Sequence, residues 1–188
     1  MNKKIIILFA LLTISSCIKV DESYKPPNYI KYLKEVERET IQELKKKGLY
    51  ISGIGSASMD CISLVDLSFN YNKLSDIAKA RELLVLAAEI LLTKINSHEK
   101  IRPDLCNYPF NISNIELSLD FKKNDKIIKN KRSKIVNFVT LGKGIIKYKY
   151  CEPSNYIFET LLEESFEEAK EKVENGSKAT SVLQKSQS

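Results

Sequence analysis

Side-chain chemistry needs a nucleophile with its base, a pair of carboxylates or a metal-ligating cluster, and this chain of 188 residues offers fragments of each. Asp60 and Glu116 would make a carboxylate pair for acid–base work if the fold joined them, but no histidine or activated nucleophile supports them. Arg81 lies between Ile77 and Leu84, at the margin of an apolar helical stripe, so its guanidinium is expected to be partly enclosed. An enclosed guanidinium requires a carboxylate, for which Asp60 and Asp66 are the first choices. The pair would tie helix to sheet, or else clamp an anionic substrate. Arg102 and Tyr108 precede Pro103 and Pro109 in a loop, where Arg102 either bonds loop carbonyls or holds an anionic ligand. Asp60, Arg81, Arg102 and Tyr108 are thus the candidate ligand or partner contacts.

Other motifs are weaker. His98 is the only histidine and no CxxC occurs, so zinc is not expected, and no cofactor is implied. His98 itself is expected at the surface, beside the last carbonyls of a helix. Gly53-Ile54-Gly55 lacks the third glycine of GxGxxG and a Walker lysine, and it leads into a strand. Such glycines serve a bulge or a close backbone approach.

The clearest chemistry is a modification. Met1–Ser16 has a short basic head at Lys3 and Lys4, an apolar run from Ile5 to Leu12, and small residues before Cys17. That is the pattern of a secretory signal, with a run shorter than the ~20 residues a membrane span needs. Ile14-Ser15-Ser16-Cys17 resembles a bacterial lipobox. The resemblance implies cleavage before Cys17, diacylglycerol on its sulfur and a further palmitate-type chain on its new amine. Each buried methylene contributes about 0.8 kcal/mol, so several chains anchor stably where one does not. Ile18 follows the cysteine in place of an acidic retention signal of the enterobacterial kind, which points to the outer membrane.

Removing the first 16 of 188 residues leaves 172, enough for one domain with a core. Loss of Lys3 and Lys4 lowers the formal net charge from +6 to +4, too small a surplus to argue for nucleic acid. Cys61, Cys106 and Cys151 remain as buried thiols or as one disulfide with a spare thiol, with all three pairings open.

Ile18–Asn28 reads as a polar tether with two prolines, and Tyr29–Lys47 as an amphipathic helix stopped by Gly48. Leu49–Ser58 and Asp60–Tyr71 read as strands. Ser75–Asn96 is an almost wholly apolar helix, with Ser75 as N-cap, that must be covered on most sides. The loop 97–110 follows, with Tyr108-Pro109 a candidate cis bond though trans is the default. Ile112–Phe121 alternates cleanly, and Ile135–Leu141 with Ile145–Cys151 form a hairpin about Gly142-Lys143-Gly144. The run 122–134 carries seven basic residues and one acid; it reads as a solvated loop, or as a contact for acidic lipid or an acidic partner. After a break at Glu152-Pro153-Ser154, a last helix bearing Phe158, Leu161, Leu162, Ser165, Phe166, Ala169 and Val173 is expected to end near Glu174. A disordered tail, 176–188, would follow.

These elements predict an α+β two-layer sandwich: a mostly antiparallel sheet of about five strands, with helices on one face. Asp66, Ser68, Glu116, Ser118, Asp120, Lys147 and Lys149 would occupy the other face. Gly53-Ile54-Gly55 with Met59-Asp60, Ala80-Arg81-Glu82-Leu83-Leu84, Ile101-Arg102-Pro103-Asp104-Leu105, Asn107-Tyr108-Pro109-Phe110 and Asn114-Ile115-Glu116-Leu117 resemble small lipoproteins of unknown function from chlamydia-related bacteria. The resemblance spans roughly residues 51–119 and implies a lipoprotein, without an activity or ligand to transfer. The expectation is a non-catalytic, membrane-anchored envelope protein acting on an unknown envelope partner. The alternative is a small-molecule-binding or hydrolytic domain built on the Gly53–Asp60 turn and the Arg102 loop.

Overall fold

An apolar helix forces the architecture, because it needs a sheet on one side and further helices on its flanks. In a computed structural model that describes residues 27–122, 135–152 and 157–185, nine elements meet that need. In chain order they are α1 (Asn28–Lys45), β1 (Leu49–Ser58), β2 (Ile62–Tyr71), α2 (Ile77–Ser97), β3 (Ile115–Phe121), β4 (Phe138–Gly142), β5 (Ile145–Glu152), β6 (Ile157–Ser165) and α3 (Phe166–Lys185). Met1–Ser16, Cys17, the tether up to residue 26, the basic run from 123 to 134 and the Pro153-Ser154 break lie outside the described residues.

The six strands pair in chain order, β1-β2-β3-β4-β5-β6. Every pair is antiparallel except β2–β3, where Val65 to Tyr71 run alongside Ile115 to Phe121 in parallel. α2 is the reason: a helix inserted between two strands carries the chain back to the starting edge, as parallel pairing requires. α1 and α3 pack against α2, and all three helices cover one face of the sheet, so the fold is an α+β two-layer sandwich. Between the layers, Ala80, Leu84, Ala87, Ala88, Leu91 and Ile95 of α2 meet Leu67, Phe69, Leu117, Leu119, Val139 and Leu141 of the sheet. Each fully buried Leu or Ile there contributes about 1.5–3 kcal/mol, and alanines let helix and sheet approach closely.

Leu33, Val36, Thr40 and Leu44 of α1 are buried as their spacing requires, and Gly48, at φ +85°, ends the helix. Thr40 Oγ1 is buried without a hydrogen-bond partner among the described residues. Thr40→Val should therefore raise stability by about 1 kcal/mol, read as a higher urea midpoint at unchanged slope.

Four expectations are corrected. Asp76, not Ser75, caps α2, accepting a hydrogen bond from the Lys79 amide at 2.8 Å. Ser75 instead bridges to Val136, whose amide donates to its carbonyl. Tyr108-Pro109 is cis. The last helix begins only at Phe166: residues 157–165 form β6 along β5, so Phe158 and Leu161 are exposed and the buried stripe shrinks to Phe166 and Ala169, with Val173 half-buried. A free β5 edge outweighs helical periodicity, since pairing satisfies a strand's length of backbone groups. α3 also continues past Asn175-Gly176 to Lys185, into the stretch read as a disordered tail.

Candidate functional site

Arg81 is where a carboxylate was required, and the carboxylate is Glu164 of β6, not Asp60 or Asp66. Arg81 Nε donates to Glu164 Oε1 at 2.6 Å and Nη2 to Oε2 at 3.2 Å. Tyr148 Oη of β5 donates to Oε1 at 2.6 Å, and Lys172 Nζ of α3 to Oε2 at 2.6 Å. The guanidinium carbon also lies 5.7 Å from the Tyr148 ring centroid. Glu164 is only 3% exposed and Arg81 15%, so this junction of α2, β5, β6 and α3 is nearly dry.

Its electrostatics follow from that enclosure. Burial alone would raise the Glu164 carboxyl, but hydrogen bonds from Arg81, Lys172 and Tyr148 outweigh it and hold the group below the ordinary carboxylate range. Burial and the hydrogen bond to Glu164 push the Tyr148 phenol far upward, so it stays a neutral donor. Each Glu164 oxygen already accepts two hydrogen bonds, which makes the group a tie between elements and leaves no lone pair aimed at a substrate.

Arg102 and Tyr108 do come together, at the other end of α2. Arg102 donates to the Asn96 carbonyl from Nε at 3.3 Å and Nη2 at 3.1 Å, and its guanidinium stacks 5.1 Å from the Tyr108 centroid. The Asn96 side chain in turn exchanges hydrogen bonds with the Phe110 backbone at 2.8 and 2.7 Å. Arg102 thus bonds neither a loop carbonyl nor an anionic ligand: its acceptor is a carbonyl in the last turn of α2, where a cation is favoured. Along a rise of 1.5 Å per residue, Arg81 and Asn96 are roughly 22 Å apart, so Arg81 and Arg102 cannot line one cavity.

Asp60 is exposed in the bend between β1 and β2. The Cys61–Cys106 disulfide draws that bend toward the Arg102–Tyr108 loop, and the Cys106 amide donates to the Ile62 carbonyl at 3.0 Å. Cys151 is buried and takes no part in the disulfide. His98 is half-buried rather than at the surface: its ring lies 5.7 Å from that of Tyr32, and Nε2 is 3.4 Å from Glu35 Oε2.

The open face of the sheet carries the expected polar residues. Asp66, Ser68, Glu116, Ser118, Thr140 and Lys147 line a shallow cleft of about 340 Å³. Asp66 and Glu116 stand in register on the two parallel strands, and Ser118 Oγ donates to Ser68 Oγ at 2.7 Å. Burial, then the Glu116 charge, hold the Asp66 carboxyl above the ordinary range. A Cβ on Gly55 would lie 3.3 Å from Asp66 Oδ2 and one on Gly53 3.3 Å from Ser68 Cβ, the close approach expected of these glycines. The pair that acid–base chemistry would need is therefore Asp66 with Glu116, not Asp60 with Glu116; no histidine is among the residues that line the cleft, and the Ser118 hydroxyl is turned to Ser68. Among the described residues, no three His, Cys, Asp or Glu converge as a metal site.

The Glu164 hub had one local signal that the reading of the sequence missed. Ser165-Phe166-Glu167-Glu168 is a capping box: the Glu168 amide donates to Ser165 Oγ at 3.2 Å and the Ser165 amide to Glu168 Oε2 at 3.0 Å. It starts α3 at Phe166 and leaves Glu164 to a strand. Comparison of the chain with protein-family models, curated proteins and solved structures finds no match in any of the three.

Proposed function

We propose that this chain is a bacterial envelope lipoprotein, held to a membrane by acyl chains on Cys17 and acting by contact with an envelope partner, without catalysis. The observation that carries the reading is Ile14-Ser15-Ser16-Cys17 at the end of a short apolar run with a basic head. The disulfide between Cys61 and Cys106 supports it, because such bonds persist in oxidising compartments outside the cytoplasm. The engagement of Arg81, Arg102 and Tyr108 in holding elements together also favours a contact surface over a substrate clamp. No helix among the described residues is long and apolar enough to cross a membrane, so on this reading the lipid supplies the anchor.

Fractionation of cells expressing the chain tests the proposal. The parent chain is expected in the membrane pellet, resistant to high salt, and Cys17→Ser in the soluble fraction or held as uncleaved precursor. Salt-extractable parent protein, or a mature Cys17→Ser chain that stays in the pellet, would overturn it.

A further inference from the structure

α1 sorts its charges onto two faces, and only one of them is neutralised. Glu35, Glu39 and Glu43, spaced four apart, turn toward α2. There Lys94 Nζ lies 3.1 Å from Glu43 Oε2 and 3.9 Å from Glu39 Oε2, and His98 Nε2 lies 3.4 Å from Glu35 Oε2. Lys31, Lys34, Arg38 and Lys45 form a second stripe, at spacings of three, four and seven, turned away from the core. All four are exposed, and none of their side chains makes a hydrogen bond or ion pair among the described residues. Gln42, exposed and uncharged, fills the gap before Lys45. At a rise of 1.5 Å per residue the stripe is roughly 21 Å long.

Apolar side chains run beside it. Ile30 and Ile41 are half-buried, and Ile54, on the edge strand β1, is 55% exposed. These isoleucines line two shallow grooves of about 520 and 430 Å³, and Lys34 and Arg38 border both. A row of cations beside accessible aliphatic carbon suits an anionic bilayer surface: lipid phosphates meet the ammonium and guanidinium heads, and the isoleucines meet the boundary with the acyl chains. The length of chain before α1 allows the contact. α1 begins eleven residues after Cys17, and eleven residues span at most about 40 Å.

We propose that the face of α1 bearing Lys31, Lys34, Arg38 and Lys45 lies on the anionic lipid headgroups of the membrane that holds Cys17. The inference rests on the Cys17 anchor, which keeps the domain near the surface, so a modest attraction is enough to orient it. Asp66 and Glu116, on the opposite face of the sheet, are then turned away from a surface that would repel them.

The test uses the mature, lipid-bearing chain in vesicles, with a nitroxide on Gln42→Cys in the stripe or on Thr160→Cys on the open face. Labelling is done on the folded chain, where Cys151 is buried. Collision with a neutral nickel chelate in the water reads the exposure of each label. From phosphatidylcholine vesicles to vesicles enriched in phosphatidylglycerol, the Gln42 label should lose at least threefold in accessibility and the Thr160 label should not change. High salt, or Lys31→Gln, Lys34→Gln and Arg38→Gln together, should restore the Gln42 signal. These three positions are exposed, so folding does not depend on them. A Gln42 label equally accessible on both vesicles, equal protection at Thr160, or protection that survives the triple variant with its basic run 123–134 intact would each overturn the proposal. So would protection that appears only once other envelope proteins are added. A chain that does not float with phosphatidylcholine vesicles contradicts the anchor alone; the same Gln42 label on the phosphatidylglycerol vesicles then decides the stripe.

Discussion

Glu164→Ala should cost the domain about 3 kcal/mol of stability, the largest loss expected from any single polar side chain. Removing one member of a buried ion pair costs about 3–5 kcal/mol, because the partner is left charged and unpaired. The lower end applies here, since Lys172 is 52% exposed and returns to water freely. What remains stranded is Arg81, 15% exposed, and the Tyr148 hydroxyl, which loses its acceptor. Urea unfolding reads the loss as a lower midpoint. Replacing the pair together, Arg81→Met with Glu164→Leu, should recover most of it, because no uncompensated charge is then buried.

The hub also sets a pH dependence with a definite sign. Glu164 is held below the ordinary carboxylate range, so the folded state favours its ionised form. Its contribution is fully present above the unfolded value of about 4.3 and is lost as pH falls through the lower folded value. Glu37 and Asp66 are shifted upward and work in the opposite sense. The difference between parent and Glu164→Gln curves therefore isolates the hub, and it should shrink below pH of about 4. A difference that stays constant to the most acid point would mean that Glu164 is not ionised in the folded chain.

Loss of the Cys61–Cys106 disulfide is the second large effect. The bond closes a loop with a sequence separation of 45, for which chain entropy predicts about 4 kcal/mol against a usual range of about 2–4. The loop holds β2 and the whole of α2, so opening it frees the unfolded chain far more than it loosens the native one. Cys61→Ser with Cys106→Ser should lower the unfolding free energy by about 3–4 kcal/mol relative to the oxidised parent. Where Cys17 is acylated, as proposed, or replaced by serine, the oxidised chain should show a single titratable thiol, from Cys151, and only once unfolded. Equal stabilities, or reactive thiols at Cys61 and Cys106 in the protein as purified without reductant, would contradict the pairing.

How much of this was legible differs by element. The stripe from Ile77 to Ile95 and the alternation along Ile62–Tyr71 and Ile115–Phe121 fix helix and strands, because one-sided burial writes its period into the residues. The two-residue turn at Lys143-Gly144, both at positive φ, was marked by its glycine. The segment 157–165 was not legible as a strand from its own apolar spacing. Phe158, Leu161 and Leu162 fit a helix, and only the unsatisfied edge of β5, a distant fact, turns them into β6. The need of Arg81 for a carboxylate could be argued from its place on α2, but not the identity of that partner. Glu164 sits 83 residues away, on an element whose type had been misjudged. Likewise the pairing of Cys61 with Cys106 follows from the Ile62–Leu105 bridge, a long-range contact that spacing does not encode.

The proposed anchor is tested most directly by mass spectrometry of the chain purified from membranes. The account predicts a mature chain beginning at Cys17, with a mass increment on that residue equal to a thioether-linked diacylglycerol, alone or with one further acyl chain on the amine. A chain that begins at another residue, or a Cys17 that carries a free thiol, contradicts it.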